Sequence, residues 1–425
     1  MLKKISKRNN LKGEITIPAD KSISHRAVMF SSIAKGNCII KNFSSGADCW
    51  STLNLFKDLG VDINEIDSKT IQIFSKGKLK PSQNHLNVGN SGTTTRLVTG
   101  ILAGQNFDSI LIGDSSLSKR PMKRIIEPLK LMGANIESVD GHAPLMIYGQ
   151  KLHGIEYSSA LSSAQVKSCI LLAGLNAEGK TTYIESNISR NHTELLLDYL
   201  GAEIVLEGNR TIVYPSELIA KDIEVVGDIS STAFFIVAGL IVKGSDIIIR
   251  NVGINPTRTG ILDIAKRMNA DIEIFNQRIV SGELCADIRV KYTENLKGCE
   301  ISGEDIPRLI DELPVIAVLA TQADGETIVK DANDLRNKEA DRISCLVKEL
   351  NKIGVDIEEQ EDGFVIRKSK LQGDVELDCY KDHRLAMSFY VAGLVCEREI
   401  LINEFEWTDI SFPEFEALMQ DLIGY

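Results

Sequence analysis

The chain has 425 residues, of which 43% are hydrophobic and 25% charged, and its formal net charge is −11 at pH 7. This composition is typical of a soluble globular protein, and the length predicts two domains of about 200 residues each. The negative charge argues against a nucleic-acid partner, because such partners select a basic surface. An anionic ligand would therefore need a local cluster of positive charge.

None of the eight cysteines belongs to a Cys-x-x-Cys pair, and several lie in apolar helical stretches. This usage predicts reduced thiols in the cytoplasm and neither a disulfide framework nor a metal site. The N-terminal MLKKISKRNN is basic, but no apolar segment follows it, so no signal peptide is expected. The longest apolar run, residues 233–242, is too short to cross a bilayer, and we expect no membrane association.

One phrase recurs along the chain: an amphipathic helix that ends in glycine and runs into a strand, first seen in LFKDLGVDI. In ILDIAKRMNADIEI an asparagine replaces the glycine, and asparagine also tolerates the left-handed conformation that ends a helix. The six marker positions are Gly60, Gly133, Gly201, Asn269, Gly354 and Gly424.

A second phrase alternates with the first. It is a helix rich in small apolar residues, marked by Ala34, Ala103, Ala173, Ala238, Ala320 and Ala392. Together with short alternating strands such as GEITIP and TIQIF, the two phrases predict six units of roughly 70 residues. Helices that are apolar nearly all round belong in an interior, so we expect buried helices with sheets outside, three units to a domain. A linear solenoid is the alternative.

Each small-residue helix is preceded by polar residues: DKSISHR, GNSGTTTR, LSSAQVK, GDISST, RLIDELP and KDHR. Helix N-termini offer free backbone N–H groups and the positive end of the helix dipole, so they favour anions. If the helices of a domain are parallel, these ends converge on one cleft. Singly, each has a structural alternative: Ser22 or Ser24 as a simple N-cap, Arg26 as a solvated charge, and His383 as a structural histidine.

Two cationic segments add to this set, GDSSLSKRPMKR at 113–124 and NDLRNKEADR at 333–342, the latter at the start of a helix. Such segments are usually solvated, and their joint occurrence with the helix starts is what indicates a site for small, multiply anionic ligands. The candidate cations are Lys21, Arg26, Arg96, Arg120, Lys338, Arg342 and Arg384, and the polar candidates are Ser22, Ser162, Ser163 and Gln165. Asp311 and Glu339 are candidates for proton transfer.

The ordered pieces DKSISHRAV, GNSGTTTR, SKRPM, SSAQVKS, KEADR and DHRLAM make the whole chain resemble the 5-enolpyruvylshikimate-3-phosphate synthases. The resemblance implies an inside-out α/β barrel of two domains, each with three βαβαββ repeats, buried parallel helices and outer sheets. It places residues 1–20 and 228–425 in one domain and 21–227 in the other, with hinge crossings near 20–21 and 226–228. A monomer without metal or organic cofactor is expected.

The resemblance also implies roles. The implied ligands of shikimate 3-phosphate are Lys21, Ser22, Arg26, Ser162, Ser163, Gln165, Arg190, Asp311 and Lys338. Those of phosphoenolpyruvate are Lys21, Gly92, Arg120, Gln165, Arg342 and Arg384. The implied reaction adds the 5-hydroxyl of shikimate 3-phosphate to C2 of phosphoenolpyruvate, protonates C3, and then eliminates phosphate. Lys21 and Glu339 are implied in C3 proton transfer, and Asp311 in that of the hydroxyl.

Glyphosate is implied as an inhibitor at the phosphoenolpyruvate site, because tolerant members commonly carry alanine at the position of Gly92. Two positions depart from the family pattern: Ile410 stands where many members have lysine, and Asp334 where asparagine is frequent.

Two alternatives remain open. UDP-N-acetylglucosamine enolpyruvyl transferases share the fold and donor, but segment 113–124 lacks their loop cysteine. A non-catalytic repeat scaffold would spread its polar residues over outer faces.

Overall fold

The computed structural model describes residues 1–160 and 162–424. They form two compact units: the first unit is Met1–Pro18, Gly227–Arg278 and Leu284–Tyr425, and the second is Ala19–Val226 with Ile279–Glu283. The five residues Ile279–Glu283 are the tip of a hairpin, which no sequence signal assigned to the second unit. In the described ranges, no helix is both long and apolar enough to span a membrane.

The strands up to residue 224 are β1 (Lys3–Ile5), β2 (Lys12–Thr16), β3 (Lys35–Lys41), β4 (Asp62–Asp67), β5 (Thr70–Lys76), β6 (Leu86–Asn87), β7 (Ser109–Ile112), β8 (Asn135–Val139), β9 (His142–Tyr148), β10 (Glu156–Ser159), β11 (Thr181–Glu185), β12 (Ile204–Glu207), β13 (Arg210–Val213) and β14 (Ile223–Glu224). The later strands are β15 (Asp246–Gly253), β16 (Asp271–Val280), β17 (Glu283–Lys291), β18 (Glu300–Ile301), β19 (Glu326–Val329), β20 (Asp356–Gln360), β21 (Gly363–Arg367), β22 (Val375–Asp378) and β23 (Ile400–Asn403).

The α-helices are α1 (Lys21–Ile33), α2 (Ala47–Asp58), α3 (Gly92–Ala103), α4 (Lys123–Leu131), α5 (Ala164–Gly174), α6 (His192–Tyr199), α7 (Ile229–Ile241), α8 (Gly260–Arg267), α9 (Ile306–Leu309), α10 (Leu313–Ala320), α11 (Arg342–Lys352), α12 (His383–Gly393) and α13 (Phe415–Ile423). Short 3₁₀ turns cover Leu117–Lys119, Gly303–Asp305, Asn333–Asn337 and Phe405–Ile410.

Five of the six sheets in the described residues repeat one pattern, as the predicted repeat requires, and the chain forms two compact units and not a linear solenoid. In the second unit the strand orders are β14-β3-β5-β4, β6-β7-β9-β8 and β10-β11-β13-β12. Each begins with a parallel pair, and antiparallel pairs follow. The first unit has β2-β15-β17-β16 and β18-β19-β21-β20 in the same arrangement.

The sixth repeat is different. Its second helix, α13, lies at the end of the described chain, and its sheet has the order β22-β23-β1. β1 pairs with β23 antiparallel, so the N-terminal strand occupies the place that a hairpin strand takes in the other sheets. The sixth marker, Gly424, follows the end of α13 as predicted, but its φ is −79°, whereas Gly60 (φ +78°) and Asn269 (φ +64°) are left-handed.

The small-residue helices are buried, and α3 and α5 are parallel. α3 and α5 touch backbone to backbone, because a Cβ added at Gly100 would lie 2.1 Å from the carbonyl oxygen of Cys169. First-turn Arg96 of α3 also bonds first-turn Gln165 of α5, so the two helices run in the same direction. In the first unit, Ser230 at the start of α7 contacts residues at the starts of α10 and α12.

Candidate active site

The start of α1 in the second unit is capped by Asp20, whose Oδ1 accepts the N–H of Ile23 at 2.9 Å. The alternative that Ser22 or Ser24 is the cap is therefore wrong. Lys21 Nζ lies 2.6 Å from Asp48 Oδ2. Burial works against the ionised form of Asp48, but the Lys21 ammonium outweighs it and lowers the pKa of that carboxyl.

Arg26 is not a solvated charge, because only 3% of it is exposed. Its Nε donates to Thr193 Oγ1 at 2.7 Å, its Nη2 to Ser168 Oγ at 2.9 Å and its Nη1 to the carbonyl of Ser22 at 2.9 Å. Burial lowers the pKa of Arg26 to about 10. The guanidinium thus stays charged at neutral pH and is held by neutral oxygen atoms next to Ser22.

Guanidinium groups gather at the start of α3. Arg96 Nη1 donates to Gln165 Oε1, whose Nε2 donates to Thr93 Oγ1 at 3.0 Å. Burial, and then the charges of Arg124 and Arg120, lower the pKa of Arg96 to about 10. Arg96 Nε is buried without a hydrogen-bond partner. A charged group that is desolvated, crowded by like charges and incompletely bonded favours an anion beside it.

Gly92 lies directly against this cluster. A Cβ at Gly92 would come within 3.1 Å of Arg96 Nη1 and 3.3 Å of Arg120 Nη1. Arg120 Nη2 is held by Asn90 Oδ1 at 2.6 Å. The absence of a side chain at this position therefore leaves both guanidinium groups room to approach the α3 N-terminus.

The start of α5 carries the serines. Ser163 is the N-cap, with Val166 N at 3.5 Å from its Oγ, and Ser162 Oγ lies 3.3 Å from Ser186 Oγ. Leu161, the first residue of the LSSAQVK phrase, lies outside the described residues. Arg190 is half-buried, two residues before α6.

A buried ion cluster holds the segment that carries Arg190. Lys167 Nζ lies 2.8 Å from both Glu185 Oε1 and Glu194 Oε1 and donates to the carbonyl of Ser189 at 3.2 Å. On the other side of the segment, His192 Nδ1 lies 2.6 Å from Glu283 Oε1 at the hairpin tip. Sequence reasoning missed these residues, because their partners are 18 to 91 positions away in the chain.

In the first unit, three other candidates lie around Arg342, which is 2% exposed. Its Nη2 donates to Glu339 Oε2 at 2.7 Å, and its Nη1 lies 3.5 Å from Asp311 Oδ1. Lys338 Nζ lies 3.6 Å from the same Asp311 oxygen. The helix α11 begins at Arg342, so Lys338 and Glu339 precede the helix start at which they were expected.

Asp382 connects Arg342 to the start of α12. It is fully buried, its Oδ2 accepts Arg342 Nε at 2.7 Å, and its Oδ1 caps α12 by accepting the N–H of Arg384 at 2.8 Å. Arg384 Nη1 lies 3.4 Å from the carbonyl of Ser230 and 4.0 Å from Glu312 Oε1. Asp382 belongs to the DHRLAM motif, and its N-cap position was the signal that could have identified it.

The Glu339 carboxylate beside Arg342 is ionised. Burial works against the charged forms of Glu339 and Arg342, but opposite charges outweigh it. The charge of Arg342 lowers the pKa of Glu339 to about 2, and the charges of Asp382, then Glu339 and Asp311, raise the pKa of Arg342. Burial, and then the charge of Arg384, lower the pKa of His383 to about 4. His383 is therefore neutral and buried at pH 7, and Glu339 in this arrangement is a base.

Ile410 and Asp334, the two departures from the family pattern, both lie in 3₁₀ turns. Ile410 ends the 3₁₀ turn Phe405–Ile410 with 40% of its surface exposed, and Asp334 lies in the turn Asn333–Asn337. Within residues 1–160 and 162–424, no group of three or more His, Cys, Asp or Glu side chains is arranged to hold a metal ion.

The protein belongs to the α/β class and has six repeated units, and its candidate charged side chains lie at or near the starts of buried helices. The predicted α/β fold is confirmed by a solved EPSP synthase from Acinetobacter baumannii, which has a TM-score of 0.92, 42% identity, and coverage of 99% of this chain and 98% of that one. The enolpyruvyl transferase NikO from Streptomyces tendae shares the fold, with a TM-score of 0.80 at 16% identity over 99% of this chain and 97% of NikO.

The family follows from the sequence comparisons. The family model of EPSP synthase (3-phosphoshikimate 1-carboxyvinyltransferase) matches residues 5–419. A 3-phosphoshikimate 1-carboxyvinyltransferase from Thermoanaerobacter sp. (strain X514) is 50% identical over 414 residues, 97% of each chain. The chain therefore belongs to the EPSP synthase family, as the resemblance predicted.

Proposed function

We propose that this protein transfers the enolpyruvyl group of phosphoenolpyruvate to the 5-hydroxyl of shikimate 3-phosphate and releases phosphate, in the route to chorismate. The observation that carries the proposal is the match to the EPSP synthase family over residues 5–419, within which the motifs at the helix starts fall. The nearest alternative, transfer to UDP-N-acetylglucosamine, is less supported, because the family model and the relative at 50% identity both name the shikimate enzyme.

The proposed acceptor site uses two sets of residues. In the second unit they are Lys21, Ser22, Arg26, Ser162, Ser163, Gln165 and Arg190, and in the first unit Asp311 and Lys338. Arg26 supports this assignment, because its charge is held by hydroxyl and carbonyl oxygens and stays available to attract a phosphate.

The proposed donor site has its own set of residues. Its residues are Lys21, Gly92, Arg120, Gln165, Arg342 and Arg384. The crowding of Arg96, Arg120 and Arg124 beside Gly92 supports an anion at the start of α3. The planar guanidinium suits phosphate and carboxylate alike, and neutralising both in attack geometry lowers the barrier.

Proton transfer would depend on the charge state of Glu339. Without ligand, its contact with Arg342 keeps it ionised. When Arg342 turns to the donor's carboxylate, Glu339 loses that partner and gains a neighbouring anion, so its pKa rises and it becomes able to deliver a proton to C3. Lys21 is the second candidate for that step. Asp311 accepts the proton of the attacking 5-hydroxyl, and the tetrahedral adduct then loses phosphate and a C3 proton.

Further properties are part of the proposal. Glyphosate is proposed to inhibit by occupying the donor site, and the protein is proposed to act as a monomer without a cofactor. The cytoplasm is the proposed compartment, which agrees with the cysteines of the described chain being free thiols.

A coupled assay tests the function directly. Phosphate release from phosphoenolpyruvate should require shikimate 3-phosphate, and UDP-N-acetylglucosamine should not replace it. Phosphate release with the UDP-sugar but not with shikimate 3-phosphate would show that the alternative acceptor is the right one. If neither acceptor led to phosphate release, both functions would be refuted.

A further inference from the structure

The backbone directly before Asp382 is strained. Tyr380 has φ +54° and Lys381 has φ +59°, so two consecutive residues with side chains occupy the left-handed region. Such residues are uncommon outside glycine, cost free energy, and persist only where the surroundings fix them. The strain therefore calls for a group that holds this turn.

Glu349 of α11 is that group. Its side chain is fully buried; Oε1 accepts the Tyr380 hydroxyl at 2.7 Å, and Oε2 accepts the N–H of Asp378 at 3.0 Å. Lys352 Nζ balances the carboxylate charge at 2.6 Å. The turn is closed further by the bond from Tyr380 N to Asp378 Oδ1 at 2.8 Å. Two points on the strained turn are thus fixed to one buried carboxylate.

The turn ends on Asp382, which contacts Arg342 and Arg384, the two arginines of the first unit that were proposed to bind the donor. Asp382 follows Lys381, binds Arg342 Nε and caps α12 at Arg384. A shift of the turn would move the Asp382 carboxylate, and with it the buried Arg342 guanidinium, whose Nε donates to Asp382 Oδ2 at 2.7 Å. Displacing a substrate-binding group by about 1 Å is sufficient to lower the activity of an enzyme substantially.

We propose that Tyr380 and Glu349 are positioning residues that hold the turn before Asp382, and through it the arginines that bind the phosphoenolpyruvate carboxylate. The proposal rests on the proposed function. It predicts a defect mainly in use of the donor, because the contacts of Tyr380 and Glu349 are with Asp378, Lys348 and Lys352, none of which is a proposed acceptor ligand.

The test is Tyr380→Phe, with Tyr390→Phe as the matched control. Tyr390 lies in the same unit, on α12, and its hydroxyl accepts Gln420 Nε2 at 3.1 Å, away from the turn. In Tyr380→Phe the KM of phosphoenolpyruvate should rise roughly tenfold, while the dissociation constant of shikimate 3-phosphate stays within about twofold. Tyr390→Phe should leave both values within about twofold.

A second variant does not depend on a buried polar group. Lys381→Gly relieves the strain at φ +59°, so it should fold and be at least as stable as the parent. If the turn only serves stability, the KM of phosphoenolpyruvate stays at the parental value; if it positions the arginines, the KM rises because the turn loosens.

The outcomes separate the two hypotheses. An inactive parent would refute the proposed function. An active parent with unchanged donor KM in folded Tyr380→Phe and in Lys381→Gly, or with equal defects in both tyrosine variants, would refute the positioning role alone.

Discussion

Arg26 in the second unit and Arg342 in the first are both almost completely buried, but their hydrogen-bond partners differ in charge. Arg26 is bonded to two hydroxyl groups and a backbone carbonyl, and burial lowers its pKa to about 10. Arg342 lies against the carboxylates of Asp382, Glu339 and Asp311, which raise its pKa in spite of burial.

The difference shows how one type of side chain can serve two purposes. A buried guanidinium among neutral oxygens keeps its positive charge available, which suits the binding of a phosphate dianion. A guanidinium among carboxylates is already neutralised and fixes the position and charge of those carboxylates, which suits a site where protons move.

The largest expected effect is on the carboxylate side of the comparison. Glu339→Gln keeps the shape of the side chain but removes the proton carrier, so kcat should fall by roughly 10²–10⁴. Binding of shikimate 3-phosphate should be nearly unaffected. Glu359→Gln is the control, because Glu359 pairs with Arg336 at 2.9 Å and belongs to neither proposed substrate site. A kcat within about threefold of the parent would contradict the assignment of Glu339.

The two arginines can be compared directly by stability. Arg342→Met leaves the fully buried Asp382 uncompensated and should lower the free energy of unfolding by about 3–5 kcal/mol. Arg26→Met should cost about 1–3 kcal/mol, because Ser168 and Thr193 still bond each other at 2.6 Å. Urea denaturation of both variants measures the difference, and equal losses would remove the distinction.

Gly92→Ala tests the arginine cluster at the start of α3. Its methyl group would push Arg96 Nη1 and Arg120 Nη1 away by a few tenths of an ångström, which should raise the inhibition constant of glyphosate markedly. Part of the activity should remain, because phosphoenolpyruvate is the shorter molecule. Gly104→Ala at the other end of α3 is the control, since its Cβ would meet nothing closer than 3.5 Å. Inhibition constants equal to the parent's in both variants would remove Gly92 from the site.

A smaller effect concerns pH. Burial first, and then neighbouring cations, lower the pKa of His25 to about 3 and that of His383 to about 4, against an ordinary value of 6.5. Between pH 6.5 and 4.5 the unfolded chain binds protons that the folded chain does not. Stability is therefore full above pH 6.5 and falls by about 1.4 kcal/mol per pH unit for each histidine as pH decreases.

Two single variants test whether these histidines cause the pH dependence of stability. His25→Gln and His383→Gln should each remove about one proton from the pH dependence of unfolding. A parental slope in both variants would show that the two buried histidines do not carry it.

The smallest expected effect is on the radius of gyration of the protein. The predicted hinge near residues 20–21 and 226–228 should close when shikimate 3-phosphate binds, and small-angle scattering should then give a smaller radius of gyration. Unphosphorylated shikimate is the control. An unchanged radius with saturating ligand would count against the hinge.

Much of the fold could be read from the sequence because it depends on local rules. The glycine and Asn269 helix ends follow from which residues tolerate a positive φ, and the buried helices follow from the lack of a polar face. The exceptions are non-local. The replacement of a hairpin strand by β1, and the assignment of Ile279–Glu283 to the second unit, depend on pairing between distant segments.

The site divides in the same way. The sequence by itself determined which residues stand at the helix starts and, through six ordered motifs, the family. Only the tertiary structure decided the partners: Arg26 bonds Thr193, which is 167 positions away, and Arg342 bonds Asp382, which is 40 away. Sequence order carries no distance between such residues. The charge that a buried arginine retains or loses depends on which oxygen atoms the packed helices bring to it.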